Sequence, residues 1–387
     1  MMSMTSDILP ITPADPINAA ILTVSEDQVQ GFNEDPMRQI AHKSGIDLST
    51  VHQRIAAMLR GGTIRRVRQT LMATNLARGA LVAWVVPEEK LSAAFDWMNE
   101  KDPFSGHIVI RSTDQAITGS HYRLWTTLKV PQGYSLEKHC QLLCQLTGAT
   151  KFKLLPANKL FALGVGHVRR KGMEPGAHSP ELAEVVGTQI VDLSEMDWRV
   201  LVALKREFSP EEIETAAELP AMTFWSGRAA EAGVDLEAFC KVARSLNERG
   251  VIGRFSTFLE HVKPLASGER VTKFNALFHW AVPQGRELDA GRQVGRFHIM
   301  THAYWREAGE EFGNVNIMGV AHGTDKQLIL AHKSAIDKHL ESVGIPVSYS
   351  NIFWGGRSEI KPSEISPFAY EEFCREHGID PKTMRQA

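Results

Sequence analysis

The sequence predicts an α+β protein in which one two-domain module occurs twice. Three short segments recur in the same order after 188, 196 and 191 residues. The pairs are Gly62–Arg66 with Gly250–Arg254, Trp84–Pro87 with Trp280–Pro283, and His107–Arg111 with His298–His302. This period is too long for one unit of a solenoid, so it indicates a duplicated module with small insertions.

The bulk composition is that of a globular protein with several domains. A chain of 387 residues exceeds what one hydrophobic core usually serves, and its length predicts about two to four domains. Hydrophobic residues make up 43% and charged residues 23%, which is typical of soluble domains. The net charge of −2 disfavours a protein whose main task is to grip DNA, although it leaves room for one basic face.

Cysteine usage and hydropathy indicate a reducing compartment. The four cysteines form neither a CxxC pair nor a metal-type cluster, so we expect reduced thiols and no metal site. They are Cys140, Cys144, Cys240 and Cys374. No segment approaches the roughly 18 apolar residues of a membrane span, and the N-terminus lacks a secretory pattern. We therefore expect a cytoplasmic protein that makes no membrane contact.

Residues 16–75 are predicted to form a winged helix-turn-helix domain after a loose N-terminal tail. Met37 and Ile40 give an apolar stripe at helical spacing, Gly45 marks a turn, and Asp47 opens a second helix. A glycine pair then ends that helix before a strand, which would be the wing.

Residues 76–168 are predicted to form a ferredoxin-like αβ-sandwich. The elements follow the order strand, helix, strand, strand, helix, strand, which is typical of that fold. They are Ala80–Val86, Leu91–Met98, Ile108–Ile110, Leu124–Val130, Tyr134–Leu146 and Phe152–Leu155.

The same order then repeats after a charged, Gly- and Pro-rich linker at residues 169–190. Residues 191–260 are predicted to form a second winged helix-turn-helix domain. Residues 271–357 are predicted to form a second ferredoxin-like domain, and residues 358–387 a short C-terminal extension with helical character.

One strand of the second half carries an unusual set of polar side chains. A regular strand here would place five alternate residues on one face, with Asn316 and His322 on the neighbouring strand. The five are His298, Met300, His302, Tyr304 and Arg306. Such a face is hard to explain as core, because charged side chains are almost never buried without partners. A pocket for an anionic ligand is one interpretation, and a solvent-facing polar strand is the other.

The order of domains resembles the Lrp/AsnC family of bacterial regulators. Three second-half segments are similar to motifs of its siroheme decarboxylase branch: a wing ending in Ile-x-Arg, a Thr-His-x-Tyr-x-Arg strand, and a strand closing on His-Gly. They are Leu246–Phe255, Ile299–Arg306 and Asn314–Gly323. In the first half, Tyr122–Leu128 resembles the Tyr-Asn-Leu-Trp-x-Thr-Leu strand of that branch. The resemblance covers roughly residues 20–357, in a layout similar to the fused enzymes of haem d1 synthesis.

The two halves differ at the motif positions. The aligned pairs are Arg111 with His302, Thr113 with Tyr304, and Gln115 with Arg306. Asn314 stands where the family favours tyrosine, whereas Tyr122 keeps that tyrosine in the first half. We therefore expect two chemically different sites, the first being a degenerate, structural or binding-only copy.

The resemblance implies a carboxy-lyase that removes two acetate carboxyl groups of siroheme, giving 12,18-didecarboxysiroheme for haem d1 or an alternative haem. It implies no cofactor beyond the substrate's own iron tetrapyrrole, and it makes haem or siroheme the group expected to be found bound. Loss of a carboxyl group leaves a carbanion-like centre that the ring delocalises, and histidine is the natural proton donor near neutral pH. We expect His302 to be that donor, with Tyr304 and His322 as further catalytic candidates.

The carboxylate arms of such a ligand would require cationic partners. Arginine suits carboxylates because its fork donates two charge-assisted hydrogen bonds. Arg66 and Arg254 recur at matched positions of the repeat. The expected substrate-binding residues are Arg306, Arg254, Arg111, Arg123, Arg66, His121, Tyr122, His298 and Asn316.

Two other functions compete with the enzyme. A DNA-binding regulator would use the first helix-turn-helix, where five residues could face a groove: Ser49, Thr50, His52, Gln53 and Arg54. The second carries Glu231, Asp235 and Glu237 where phosphates would lie, so we expect no nucleic-acid partner. A haem carrier without turnover would use His302 or His322 as an iron ligand. A second copy of the chain and other haem-synthesis enzymes are the candidate protein partners.

Overall fold

A computed structural model describes residues 9–72, 75–163, 173–187, 190–220, 223–260, 272–365 and 367–386. They form a mixed fold of helices and strands, as the sequence predicts. The chain divides into two compact units, and each unit contains segments from both halves of the sequence. The first unit comprises Met1–Ala73, Val165–Lys171 and Val191–Val271, and the second Thr74–Gly164, Gly172–Ile190 and Thr272–Ala387.

The described residues include twelve α-helices and twelve strands. The helices are α1 Pro16–Ser25, α2 Pro36–Ser44, α3 Leu48–Arg60, α4 Leu91–Glu100, α5 Leu136–Thr147, α6 Glu195–Lys205, α7 Pro210–Ala216, α8 Ser226–Ala232, α9 Leu236–Glu248, α10 Glu287–Gly295, α11 Lys326–Ser342 and α12 Pro367–Glu376. The strands are β1 Val29–Gln30, β2 Ile64–Leu71, β3 Arg78–Val85, β4 Ser105–Ser112, β5 Leu124–Val130, β6 Lys151–Pro156, β7 Lys159–Leu163, β8 Ile252–Leu259, β9 Phe274–Ala281, β10 Met300–Trp305, β11 Ile317–Gly323 and β12 Tyr349–Ile360.

The first unit begins with helices whose ends follow the sequence signals. Asp47 caps α3 through the amide of Thr50, and Gly45 ends α2 with a left-handed φ of 72°, which confirms the predicted turn. Helix α1 was not predicted. Asp15 caps it and Pro16 occupies its first turn, where a missing amide hydrogen costs nothing.

Helix α3 of the first unit packs against α7. The ring Nδ1 of His52 lies 2.7 Å from the carbonyl oxygen of Ile213, and Arg60 pairs with Glu214 at 3.0 Å. Arg54 turns inward to Asp15 at 3.2 Å. Two of the five residues expected to face a DNA groove, His52 and Arg54, are therefore buried.

The second unit contains a nine-stranded antiparallel sheet in the order β6-β3-β5-β4-β12-β9-β11-β10-β7. Strands β6 and β7 stand at opposite ends of this order, but only Ala157 and Asn158 separate them in the chain. The Asn158 amide donates to the carbonyl of Trp305 at 2.9 Å. One bent segment thus joins both edges, and the sheet closes into a barrel.

Strand β12 also joins the sheets of the two halves, on the opposite side of the barrel. It pairs with β9 from Tyr349 to Gly355 and with β4 from Trp354 to Ile360. The β6–β7 segment likewise pairs first with β3 and then with β10. Each half of the chain therefore supplies one long strand that completes the other half's sheet.

Helices cover the outer face of the barrel. Helices α4, α5 and α12 pack over one half around Trp84, and α10 and α11 pack over the other around Trp280. Both tryptophans are fully buried. The C-terminal extension belongs to the first of these layers, since Tyr370 of α12 lies 3.1 Å from His139 of α5.

Aromatic side chains fill the middle of the barrel's interior. Trp125, Phe312 and Phe353 form the cluster, and His279 packs 5.0 Å from the ring of Phe353. Both ring nitrogens of His279 are buried without a hydrogen-bond partner within the described residues. Burial, together with nearby Arg111, lowers the pKa of His279 to about 3.

The buried His279 predicts a loss of stability in mild acid. The unfolded chain takes up a proton at this histidine below its usual pKa of 6.5, whereas the folded protein does not until near pH 3. Acidification from about pH 7 to about pH 5 should therefore cost about 2 kcal/mol. His279→Leu should remove most of that loss in urea unfolding, whereas the exposed His42→Leu should not. Equal acid sensitivity of His279→Leu and wild type would contradict this.

Candidate functional site

A β-bulge in β10 decides which of its side chains point into the barrel. Met300 pairs with Ala321 and His302 with Val320, so Thr301 is an extra residue. Met300 packs in the outer core, whereas His302 and Tyr304 lie on the inner face. The expectation that Met300 and His302 share a face is therefore wrong, because the bulge reverses the alternation between them.

Thr301 links two histidines inside the barrel. Its Oγ1 donates to the carbonyl of Val320 at 3.0 Å. The same oxygen lies 3.1 Å from Nδ1 of His302 and 3.3 Å from Nδ1 of His322. Since the hydroxyl proton points at a carbonyl, both histidines must donate their Nδ1 protons to Thr301. Nδ1 of His302 is therefore occupied by the hydrogen bond to Thr301.

Asn275 extends this network to the first half of the chain. Its Nδ2 lies 3.1 Å from Nε2 of His322, and its Oδ1 accepts from Nη1 of Arg111 at 3.2 Å. Because Oδ1 accepts from Arg111, the Asn275 amide donates to Nε2 of His322. Gly355 lies between Arg111 and Asn275 in the sheet, and a Cβ there would stand 3.1 Å from the Asn275 side chain. Because Gly355 has no side chain, Arg111 can reach Asn275 across it.

Arg111 carries a buried charge, and no carboxylate pairs with it among the described residues. Its side chain is 4% exposed and also donates to the carbonyl of Phe353 at 3.2 Å. Burial lowers the pKa of Arg111 from its usual value. A guanidinium nevertheless keeps its proton, so the cluster retains a fixed positive charge.

A second row of contacts runs along β10 from His302. The rings of His302 and Tyr304 stack with centroids 6.0 Å apart, and the guanidinium of Arg306 lies 4.4 Å from the Tyr304 ring. Arg306 is 7% exposed and donates to the carbonyl of Leu155. Burial lowers the pKa of Arg306 as well.

The strand register shows which residues of the two halves are equivalent. His302 pairs with Val320 of β11, and His107 pairs at the same place with Thr127 of β5. Each pair follows a register shift one residue earlier. His107 is therefore the counterpart of His302, and the alignment of Arg111 with His302 is wrong.

Arg111 is instead the counterpart of Arg306. Their amides donate to Arg123 and Asn316, the residues that precede β5 and β11. Their guanidinium groups donate to the carbonyls of Phe353 and Leu155, which occupy equivalent places on the two long strands. The short insertions between the halves hid this correspondence in the sequence.

Three of the expected substrate-binding residues lie away from the His302 cluster, where they make structural contacts. Asn316 is 5% exposed. Its side-chain amide forms two hydrogen bonds of 2.9 Å with the main chain of Val282. Tyr122 is fully buried and donates to Glu311. His298 lies before β10, with Nε2 3.2 Å from Oγ of Ser179.

Arg123 and His121 also lie outside the cluster. Arg123 donates to the carbonyl of Arg111 at 2.9 Å and pairs with Glu88 at 3.1 Å. His121 is exposed, with its ring 4.6 Å from that of Tyr122.

Arg66 and Arg254 belong to the first unit. They lie at matching places on the paired strands β2 and β8. Arg66 pairs with Glu207 at 3.0 Å, and Nε of Arg254 donates to the carbonyl of Glu26 at 3.1 Å.

Neither a metal cluster nor a membrane span occurs in the described parts of the chain. No three or more His, Cys, Asp or Glu side chains are grouped there to hold a metal ion. No helix within those ranges is long and apolar enough to cross a bilayer. The four cysteines are all free thiols.

Residues 76–162 match the model of the AsnC-like ligand binding domain. No curated protein matches the chain in sequence. Among solved structures, the chain is similar to the siroheme decarboxylase NirDL, with a TM-score of 0.63 and 19% identity over 93% of this chain and 96% of that one. A co-complex of NirDL with an iron-uroporphyrin III analogue gives a TM-score of 0.62 and 19% identity over 94% and 97%. At this identity the likeness shows the fold.

The network predicts a stabilising role for Asn275. Asn275→Leu would leave Arg111 with one acceptor fewer and His322 without its donor, which should cost about 1.5–3 kcal/mol of unfolding free energy. Asn275→Asp keeps an acceptor for Arg111 and should cost less. Urea unfolding near pH 7 measures both. Equal stability of Asn275→Leu and wild type would show that the hydrogen bonds to Asn275 contribute nothing.

Proposed function

We propose that this chain is a siroheme decarboxylase that removes two acetate carboxyl groups to give 12,18-didecarboxysiroheme for haem d1 synthesis. We also propose that it arose by tandem duplication of a winged helix-turn-helix domain and a ferredoxin-like domain. The observation that carries the function is the barrel cluster in which Thr301 joins His302 and His322, in a fold similar to NirDL along nearly the whole chain.

The proposed reaction breaks one carbon–carbon bond per arm. Carbon dioxide leaves, and the electron pair of the broken bond passes into the conjugated ring of the substrate. A proton from His302 then converts the arm to a methyl group, and solvent returns a proton to the histidine. Because the ring accepts the electron pair, we propose that no cofactor beyond the substrate's own iron tetrapyrrole takes part.

The cluster around His302 suits a proton donor. Thr301 holds Nδ1 and fixes the ring, so proton transfer falls to Nε2. His322, Thr301 and Asn275 act as positioning residues in this proposal, with Arg111 fixing the orientation of Asn275. Tyr304 supports the other side of the His302 ring by stacking.

Anaerobic incubation of the purified protein with siroheme tests the activity. Mass analysis should show the loss of two carbon dioxide molecules from the substrate. An unchanged mass under reducing, oxygen-free conditions would refute the proposed activity, and a stable iron-tetrapyrrole spectrum in the same sample would indicate a carrier.

His302→Ala should lower the single-turnover rate by about 10²–10⁴-fold, the usual cost of losing a general acid. Its thermal unfolding should stay near that of wild type, because the ring is half-buried. His42→Ala removes an exposed histidine of the first unit and is the matched control. A near-normal rate for His302→Ala would show that His302 is not the proton donor.

Thr301→Val tests whether the hydroxyl positions the two histidines. The valine keeps the shape of threonine but offers no acceptor to either ring, so we expect a rate loss of about 10-fold or more. Thr301→Ser keeps the hydroxyl and should retain most of the rate. Equal single-turnover rates for the valine and serine variants would show that the hydroxyl has no such role.

A further inference from the structure

The first half of the barrel holds a different set of side chains at the places that form the His302 cluster. Lys129 pairs with Gly79, as His322 pairs with Asn275. Gly106 stands at the bulge in place of Thr301, where Ser363 lies too close for a side chain. The histidine–asparagine pair of the second half is thus replaced by a lysine beside a glycine.

Lys129 lies on the inner face of the barrel and leans across Gly79. Trp125 of the same strand points into the interior core, and Lys129 follows it by four residues. A Cβ on Gly79 would stand 2.8 Å from Cγ of Lys129. The lysine stem therefore occupies the space above the glycine, towards β6, whose Leu155 carbonyl accepts from Arg306.

Lys129 and Arg306 form a pair of like charges. Burial and the neighbouring Arg306 lower the pKa of Lys129 to about 8. The ammonium of Lys129 has no hydrogen-bond or ion-pair partner among the described residues. Arg306 donates to the Leu155 carbonyl and contacts the Tyr304 side chain through its ring and a hydrogen bond, and its Nε is buried without a partner in the described ranges. Two cations in this setting are stabilised by an anion between them.

We infer that Lys129 and Arg306 together bind one carboxylate arm that the substrate keeps. The inference takes the identity of the ligand from the proposed function. It assigns binding, and not proton transfer, to the site that contains Lys129. Two cations held on a carboxylate stabilise the ground state more than a transition state in which the negative charge moves into the ring. The Lys129 pair therefore suits an arm that stays intact, and the His302 cluster suits an arm that reacts.

The test uses iron uroporphyrin III as a carboxylate-rich probe that need not react. Lys129→Met removes the charge and keeps the length of the side chain, and it should weaken binding of this probe about 10- to 100-fold in spectroscopic titration. The salt dependence of binding should fall with it. Lys129→Arg should restore much of the affinity. Lys338→Met, on the exposed side of α11, should bind as wild type does.

A second probe separates a carboxylate site from damage to the barrel. Iron octaethylporphyrin carries no carboxylate arms, so Lys129→Met should bind it as wild type does. Equal affinity of Lys129→Met and wild type for iron uroporphyrin III would overturn the inference, as would equal losses for both probes. Wild-type protein that fails to decarboxylate siroheme, while Lys129→Met loses only the carboxylate probe, would refute the proposed function and support the site.

Discussion

The structure depends on the way each half of the chain completes the sheet of the other. Strand β12 continues from β9 onto β4, and the β6–β7 segment continues from β3 onto β10. Open sheet edges would otherwise expose unpaired amides and carbonyls, and closure removes those edges. It also creates an interior lined by both halves, which neither half can form alone.

The barrel holds two different environments at equivalent positions of the two halves. The two arginines reach across it in the same manner, Arg111 to the carbonyl of Phe353 and Arg306 to that of Leu155. What differs is the group beside each arginine. Asn275 joins Arg111 to His322, whereas Gly79 leaves room for Lys129 beside Arg306. In the proposed function, proton transfer falls to the first environment and the binding of a retained carboxylate to the second.

The sequence predicted the elements well and their assembly poorly. Apolar spacing and helix caps located α2 and α3, because those signals are local. The barrel depends on strand pairing between residues far apart in the chain, which no local pattern encodes. The bulge at Thr301 changed the face of Met300, and the alternation of side chains along a regular strand did not predict it. Asn275 and Lys129 were missed because each is one polar residue within a largely apolar strand, and only the strand register shows which residues lie beside them.

The most direct measurement is a structure of the protein with bound iron uroporphyrin III. It tests whether the arms of the ligand reach the His302 cluster and the Lys129–Arg306 pair. The account predicts one arm within hydrogen-bond distance of His302 and another carboxylate between Lys129 and Arg306. A ligand bound outside the barrel, or one whose arms approach neither His302 nor Lys129, would contradict it.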